Sequence, residues 1–275
     1  MTNREIMEYD VVVVGAGPSG LSAAIKLKQL TKEANKDLSV CVIEKGSEVG
    51  AHIVSGAVIE TKALDELIPD WKSKNSPLKT EAKDDKFLYL TETKSYQLPT
   101  PPQMHNKGNY IISLSDFTKW LAQQAEELEV EIYPGFAASE VLFDEKNKVL
   151  GVATSDMGRL KDGSEGPNFE RGIELRAKQT IFSEGCRGHL GKILMEKYNL
   201  NSDNSPQTYG IGIKELWEVN PENSNPGSIM HTTGWPLDND TYGGSFLYHL
   251  DNNKVSIGFV IGLDYKNPYL SPYLE

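Results

Sequence analysis

The feature that most constrains this chain is a glycine pattern set between an apolar strand and an amphipathic helix. Tyr9-Asp10-Val11-Val12-Val13-Val14 is a continuous β-branched run, which suits a strand buried on both faces of a parallel sheet. Gly15-Ala16-Gly17-Pro18-Ser19-Gly20 ends it abruptly. Leu21, Ala24, Ile25, Leu27, Lys28 and Leu30 then follow a helical period. A second apolar run, Leu38 to Ile43, closes on Glu44. The whole is a strand–helix–strand unit of about 36 residues, the length expected of a right-handed βαβ crossover.

The placement of these glycines carries the chemistry. Gly15 permits the tight turn, Gly17 lets the backbone approach a pyrophosphate, and Gly20 lets the helix pack closely on the strand. The helix N-terminus, entered through Ala16, Pro18 and Ser19, offers unpaired N–H groups and a positive dipole end to phosphates. Glu44, 24 residues beyond Gly20 and followed by Lys45, stands where it can accept hydrogen bonds from ribose hydroxyls. A carboxylate there repels a 2′-phosphate, so NADP is disfavoured. Pro18 within the loop, and a later β-meander leading to Thr180-Ile181-Phe182-Ser183-Glu184-Gly185, favour FAD over NAD.

Composition narrows the class. The 275 residues carry a net charge of −11, against the basic face a nucleic-acid binder needs to neutralise phosphates. Cys41 and Cys186 are too few for a metal cage and suit a reducing compartment. They also lack the close cysteine pair of the disulfide reductases. The longest apolar run, Ile257 to Leu263, has the length of a strand rather than of a membrane span, and residues 1–9 lack a signal-peptide core. The expectation from composition alone is a soluble intracellular chain.

Downstream, Phe87–Leu90 and Tyr96–Leu98 read as a hairpin, and Ser115 as the cap of a helix with Phe117, Trp120, Leu121 and Leu128 on one face. Short strands are expected at 130–133, 140–143 and 149–154. A Gly-rich loop follows over 155–168, then two strands at 173–177 and 180–182. A helix over 187–198 precedes strands at 210–213, 245–250 and 255–263. Ser271-Pro272 has the form of a helix start with only three residues after it, which points to a chain cut inside a larger protein.

Several longer segments resemble the electron transfer flavoprotein–ubiquinone oxidoreductases. They are VVVVGAGPSGLSAAIKLKQL (11–30), VCVIEKGSEVGAHIVSGAVIE (40–60), FSEGCRGHLGK (182–192), PQTYGIGIKELWEV (206–219), TYGGSFLYHL (241–250) and GFVIGLDYKNPYLSP (258–272). The resemblance covers nearly the whole chain and implies the N-terminal half of a protein about twice as long. It implies an α/β fold: a Rossmann-like FAD-binding domain with a β-meander, over residues 1–75 and 111–200, and a β-rich ubiquinone-binding domain over 76–110 and 201–275. It further implies an enzyme that takes electrons singly from reduced electron transfer flavoprotein and passes them in pairs through FAD to ubiquinone. A [4Fe–4S] cluster would be held by cysteines beyond this chain. Attachment would be monotopic, at the cytoplasmic face of a bacterial inner membrane or the matrix side of a mitochondrial one. The segment from about Val49 to Ile68 would supply the apolar contact through Ile53, Val54, Val58, Ile59, Leu64, Leu67 and Ile68, although a buried helix reads the same way.

Individual residues follow from the same resemblance. The loop 50–56 is expected to pass beside the flavin ring. His52 would bond the flavin or a quinone oxygen, or be satisfied by backbone; Ser55 would act as a flavin donor, with Gly56 beside it. Gly185 is placed to approach the pyrophosphate or ribose, and Glu184 to bond a hydroxyl or water. Cys186 reads as a packed, inert thiol. Gly243 and Gly244 would line the quinone headgroup site, with Tyr248 and His249 as pocket walls rather than proton donors; the plainer reading of the glycine pair is a bulge or turn. No catalytic acid–base residue and no metal ligand is assigned. Ser113 departs from the arginine that many related flavoproteins carry just before this helix. Two other readings stay open: an aromatic hydroxylase or geranylgeranyl reductase-like enzyme, and an inactive nucleotide-binding fragment.

Overall fold

A computed structural model describes residues 4–54 and 56–274. The chain opens with β1 (Ile6–Val14), α1 (Pro18–Glu33) and β2 (Val40–Glu44). Next come β3 (Ala57–Ile59), α2 (Lys62–Leu67), β4 (Thr80–Glu81), β5 (Asp84–Leu90), β6 (Ser95–Leu98) and β7 (Tyr110–Ile112). After α3 (Leu114–Glu126) follow β8 (Glu131–Pro134), β9 (Ala138–Phe143) and β10 (Val149–Thr154). Then come β11 (Met157–Arg159), β12 (Glu165–Glu170), β13 (Glu174–Phe182) and α4 (His189–Lys197). Four strands complete the order: β14 (Gly210–Glu218), β15 (Ser228–Gly234), β16 (Gly243–His249) and β17 (Lys254–Gly262).

These elements form two compact units, residues 1–53 with 118–204 and residues 54–117 with 205–275. Residues 54–75 and 111–117, assigned by sequence to the nucleotide unit, belong to the second. The physical reason is strand pairing: β7 pairs with both β3 and β4, so the segments on either side of 76–110 are held in one small sheet.

The first unit is built on a six-stranded sheet in the order β8-β2-β1-β13-β10-β9. β8, β2, β1 and β13 are parallel, and β10 and β9 are antiparallel additions. Both faces of β1 are covered, which is why its sequence is apolar without alternation. Val12 and Val14 join Cys41, Ile43 and Leu175 in a cluster closed by Leu190 and Leu194 of α4. Val11 and Val13, pointing the other way, are buried on the side where α1 lies against β1 and β2. Each such side chain contributes about 1.5–3 kcal/mol by leaving water.

Several sequence expectations change here. The two strands expected at 173–177 and 180–182 are one strand, because β13 pairs with β1 without a break from Glu174 to Phe182. In place of the loop expected over 155–168 stands the β11–β12 hairpin, which runs on to Glu170 and in which the Arg159 guanidinium lies over the Phe169 ring and pairs with Asp156. The α3 cap is Ser113 rather than Ser115, its hydroxyl accepting the Asp116 N–H at 3.2 Å. Cys186 is exposed, not packed, since it follows Gly185 in a turn off the end of the sheet.

The two thiols therefore differ sharply. Cys41 is fully buried in β2, and burial pushes its thiol up to about 12. In the native protein Cys186 is expected to react with a thiol reagent at least about a thousandfold faster than Cys41, whose labelling waits for unfolding. Two thiols modified at equal native rates, followed by mass spectrometry, would contradict the buried placement.

The second unit holds a six-stranded sheet, β14-β17-β16-β15-β5-β6, and a three-stranded one, β3-β7-β4. All pairs in the larger sheet are antiparallel except β5 with β15, a strand the sequence did not disclose. Ala82, Ile111, Ile229 and Leu250 form one core cluster, and Leu237, Ile261 and Leu270 another. Leu64 and Ile68, read as membrane-facing or core, are buried in this unit, whereas Val54 is exposed. Trp71 packs edge-on against Tyr110 and donates its indole N–H to Asp65 at 2.7 Å. Around the Ser271-Pro272 helix signal the described residues form turns and no helix.

Candidate functional site

The parallel strands of the first unit all end on one edge, and β1 has β2 on one side and β13 on the other. An open α/β sheet has its crevice at such a switch point. A cleft of about 840 Å³ lies there, walled by the ends of β1, β2 and β13 and by the chain that follows each. Gly15 N–H donates to the Ile43 carbonyl at 2.8 Å and Ser183 N–H to the Val14 carbonyl at 2.8 Å, so sheet bonding carries the loops to the cleft in register.

The three glycines have different reasons to be glycine. Gly15 has φ +103°, and a Cβ on it would lie 2.5 Å from the Ser183 carbonyl oxygen. A Cβ on Gly20 would lie 2.1 Å from the Gly15 carbonyl oxygen, so the α1 backbone touches the turn directly. At Gly17 nothing stands within 4 Å of a Cβ, and φ is an ordinary −75°. No neighbour among the described residues requires glycine there, and the bare backbone leaves room for a group to lie against it. Gly17 is also the N-cap of α1, with no side-chain cap and no acidic residue in the first turn. Its open N–H groups and dipole favour an anion.

Glu44 closes the β2 side of the cleft. Its carboxylate accepts the Ala16 N–H at 3.1 Å and the Gly46 N–H at 2.7 Å, bracing the glycine loop against the end of β2. A carboxylate has about four acceptor positions, so capacity remains for ribose hydroxyls. Glu44→Gln replaces one acceptor oxygen by a donor and loses one of these bonds. FAD affinity of the full-length protein should fall roughly tenfold, about 1.4 kcal/mol, as read by flavin fluorescence titration. Unchanged affinity would remove Glu44 from the binding set.

Opposite, Glu184 lines the cleft and also has a structural role the sequence did not disclose. Its carboxylate, mostly buried, accepts the Leu190 N–H at 3.3 Å and the Gly191 N–H at 2.7 Å. It caps α4, so that helix end is already supplied with negative charge while the α1 end is not. Gly185, at φ +82°, forms the turn between them and lines the cleft.

Of the residues singled out by sequence, Gly15, Ala16, Gly17, Pro18, Ser19, Glu44, Lys45, His52 and Gly185 line this cleft; Gly20 lies behind it. Ser55 falls outside the described residues. Gly56 belongs to the second unit, where its carbonyl accepts the Lys214 ammonium at 2.8 Å. Gly243 and Gly244 lie in β16, also in the second unit, where a Cβ would come within 2.3 Å of the Val260 and 2.2 Å of the Thr232 carbonyl oxygen. Close strand packing thus accounts for that pair by itself. Sequence reasoning missed Ile53, Phe136, Arg187 and His189 as cleft walls.

Fold and cleft together define the two-unit architecture of FAD-dependent oxidoreductases, an α/β unit interleaved along the chain with a β-rich one. Solved structures with this fold include a geranylgeranyl bacteriochlorophyll reductase-like protein from Thermoplasma acidophilum, 18% identical with a TM-score of 0.62, covering 93% of this chain and 57% of that one. A flavoprotein/dehydrogenase from Cytophaga hutchinsonii is 17% identical with a TM-score of 0.60, over 95% of this chain and 58% of its own. At these identities the likeness is one of fold. Sequence comparison is more specific. A family profile described as ETF-QO, ubiquinone-binding, matches residues 209–275, and one described as Thi4 family matches residues 2–66. The mitochondrial electron transfer flavoprotein–ubiquinone oxidoreductase of Dictyostelium discoideum is 61% identical over 272 residues, 99% of this chain and 45% of that protein. The chain belongs to the electron transfer flavoprotein–ubiquinone oxidoreductase family, and it spans about half the length of the curated relatives it matches.

Proposed function

We propose that this chain is the FAD- and quinone-binding part of an electron transfer flavoprotein–ubiquinone oxidoreductase. The observation that carries the reading is Gly17: a glycine no protein neighbour requires, at an uncapped helix end in a cleft that Glu44 closes. In this reading the α1 N–H groups and the bare Gly17 backbone hold the pyrophosphate, and Glu44 takes the ribose hydroxyls. Lys45, His52 and Gly185 flank the cofactor. Bound FAD supplies a centre that gains electrons one at a time and gives them up as a pair. The protein's part is to orient that centre and hold water away from it.

The donor proposed is reduced electron transfer flavoprotein and the acceptor ubiquinone, bound by the second unit with Gly243 and Gly244 at the headgroup. The [4Fe–4S] ligands are placed in the remainder of the full-length protein, and the membrane contact is a monotopic one. No helix among the described residues is long and apolar enough to cross a membrane. The test mixes the full-length protein with reduced electron transfer flavoprotein and a soluble quinone analogue. Bleaching of the flavin followed by quinol formation is expected. Rapid reduction by NADPH, with none by electron transfer flavoprotein, would instead favour a hydroxylase or reductase.

A further inference from the structure

The second unit carries a polar cluster on a sheet face that apolar side chains would pack more cheaply. Strand register sets Lys214 of β14, Phe246 of β16 and His231 of β15 in one row, and Ser256, Tyr248 and Asp85 in the next row of the same face. His231 Nε2 lies 3.0 Å from the Tyr248 hydroxyl, with the rings edge to face at 5.5 Å. Phe246 stacks on Tyr248 at 4.7 Å, and the Lys214 ammonium lies 5.5 Å over Phe246. Ser256 is fully buried, yet its hydroxyl has no partner among the described residues. A buried polar group without a partner costs about 1–3 kcal/mol, and such groups persist where a ligand or a reaction uses them.

The protonation states follow from burial. Tyr248 is pushed up to about 12 and remains a donor at neutral pH. Burial lowers His231, with Asp85 opposing the shift, so the ring is neutral. Asp85 is itself held by two bonds from Asn106. A neutral ring that accepts the Tyr248 proton at Nε2 carries its own proton on Nδ1, which has no partner among the described residues. All of these groups but Asp85 and Asn106 lie within residues 209–275, matched by the ubiquinone-binding profile. Along β16, Gly244, Phe246 and Tyr248 alternate onto one face, so His231, opposite Phe246, stands about 7 Å along the strand from Gly244.

We propose that His231 and Tyr248 form a proton relay for quinone reduction: His231 Nδ1–H donates to a quinone oxygen, and Tyr248 positions and recharges the ring. This rests on the quinone-reducing reading above and revises the expectation that Tyr248 is only a pocket wall. The quinone gains two electrons from the flavin and two protons. One proton leaves Nδ1 for a quinone oxygen as the Tyr248 proton passes to Nε2; solvent then reprotonates the Tyr248 oxygen, and exchange of the Nε2 proton for one on Nδ1 through water restores the starting tautomer. The other oxygen takes its proton from water.

The test uses the full-length, FAD-loaded protein and its His231→Asn and Tyr248→Phe variants. Flavin reduction by reduced electron transfer flavoprotein should stay within about twofold of wild type. Reoxidation by a soluble quinone should slow roughly a hundredfold in His231→Asn and roughly tenfold in Tyr248→Phe, with KM for quinone within about threefold. The wild-type solvent deuterium isotope effect on that step should be altered in both. Should His231→Asn fail to load FAD, Tyr248→Phe, which keeps the stack on Phe246, decides alone. A loaded Tyr248→Phe protein with wild-type reoxidation and isotope effect overturns the relay. A wild-type protein that accepts electrons but reduces no quinone overturns the quinone reading itself.

Discussion

Replacing Gly17 with valine is expected to leave the first unit folded and to strip the protein of flavin. Nothing lies within 4 Å of the new Cβ, and φ −75° with ψ 175° is extended backbone that a β-branched residue adopts readily. Melting should therefore shift by no more than a few degrees when both proteins are compared without flavin, since about 1 kcal/mol moves a chain of this size 2–4 °C. FAD affinity of the full-length protein should fall by roughly a hundredfold or more, because the side chain occupies the space where a pyrophosphate meets backbone N–H groups. Gly17→Val protein purified with a full complement of FAD would contradict the assignment.

Gly20→Ala should do the reverse. Its Cβ would lie 2.1 Å from the Gly15 carbonyl and 3.1 Å from the Val13 side chain, and the nearer atom is backbone that cannot swing aside. Either α1 moves off β1 or the turn opens, at about 3 kcal/mol, the upper end of the cost typical of an overpacked core. Far-ultraviolet circular dichroism should show melting lowered by roughly 5–15 °C, with or without added flavin. A Gly20→Ala protein as stable as wild type would mean that α1 does not press on the turn. The pair of substitutions separates glycine needed by the fold from glycine needed by a ligand.

The βαβ unit was legible because its physics is local. Burial of β1 on both faces calls for the unbroken valine run, and the touch between α1 and the turn excludes a side chain at Gly20. β15 was hidden because Ser228–Gly234 lacks a clean alternation, and its parallel partner β5 lies far earlier in the chain. The β11–β12 hairpin was hidden by its charge and glycine content, although the Arg159–Phe169 stack supports it. In the cleft, the residues on the glycine loop and at the end of β2 could be named from spacing. Phe136 and His189 could not, because they enter only when the ends of β8 and β13 are brought to the same edge. The one usable signal was positional: a crevice at the carboxyl edge recruits whatever follows each parallel strand. The helix-capping role of Glu184 was hidden because an acid beside a Gly-rich turn reads equally as ligand contact or as helix cap, and the Leu190 and Gly191 bonds show the cap only once α4 is in place.

If the cleft at the ends of β1, β2 and β13 is a flavin site, the protein carries its cofactor through purification. The most direct measurement is the visible spectrum of the purified full-length protein, with the released nucleotide identified by mass. The account predicts stoichiometric FAD in the wild type, lost in Gly17→Val and retained in Tyr248→Phe. A wild-type protein that copurifies with no flavin and binds none when FAD is added would contradict it.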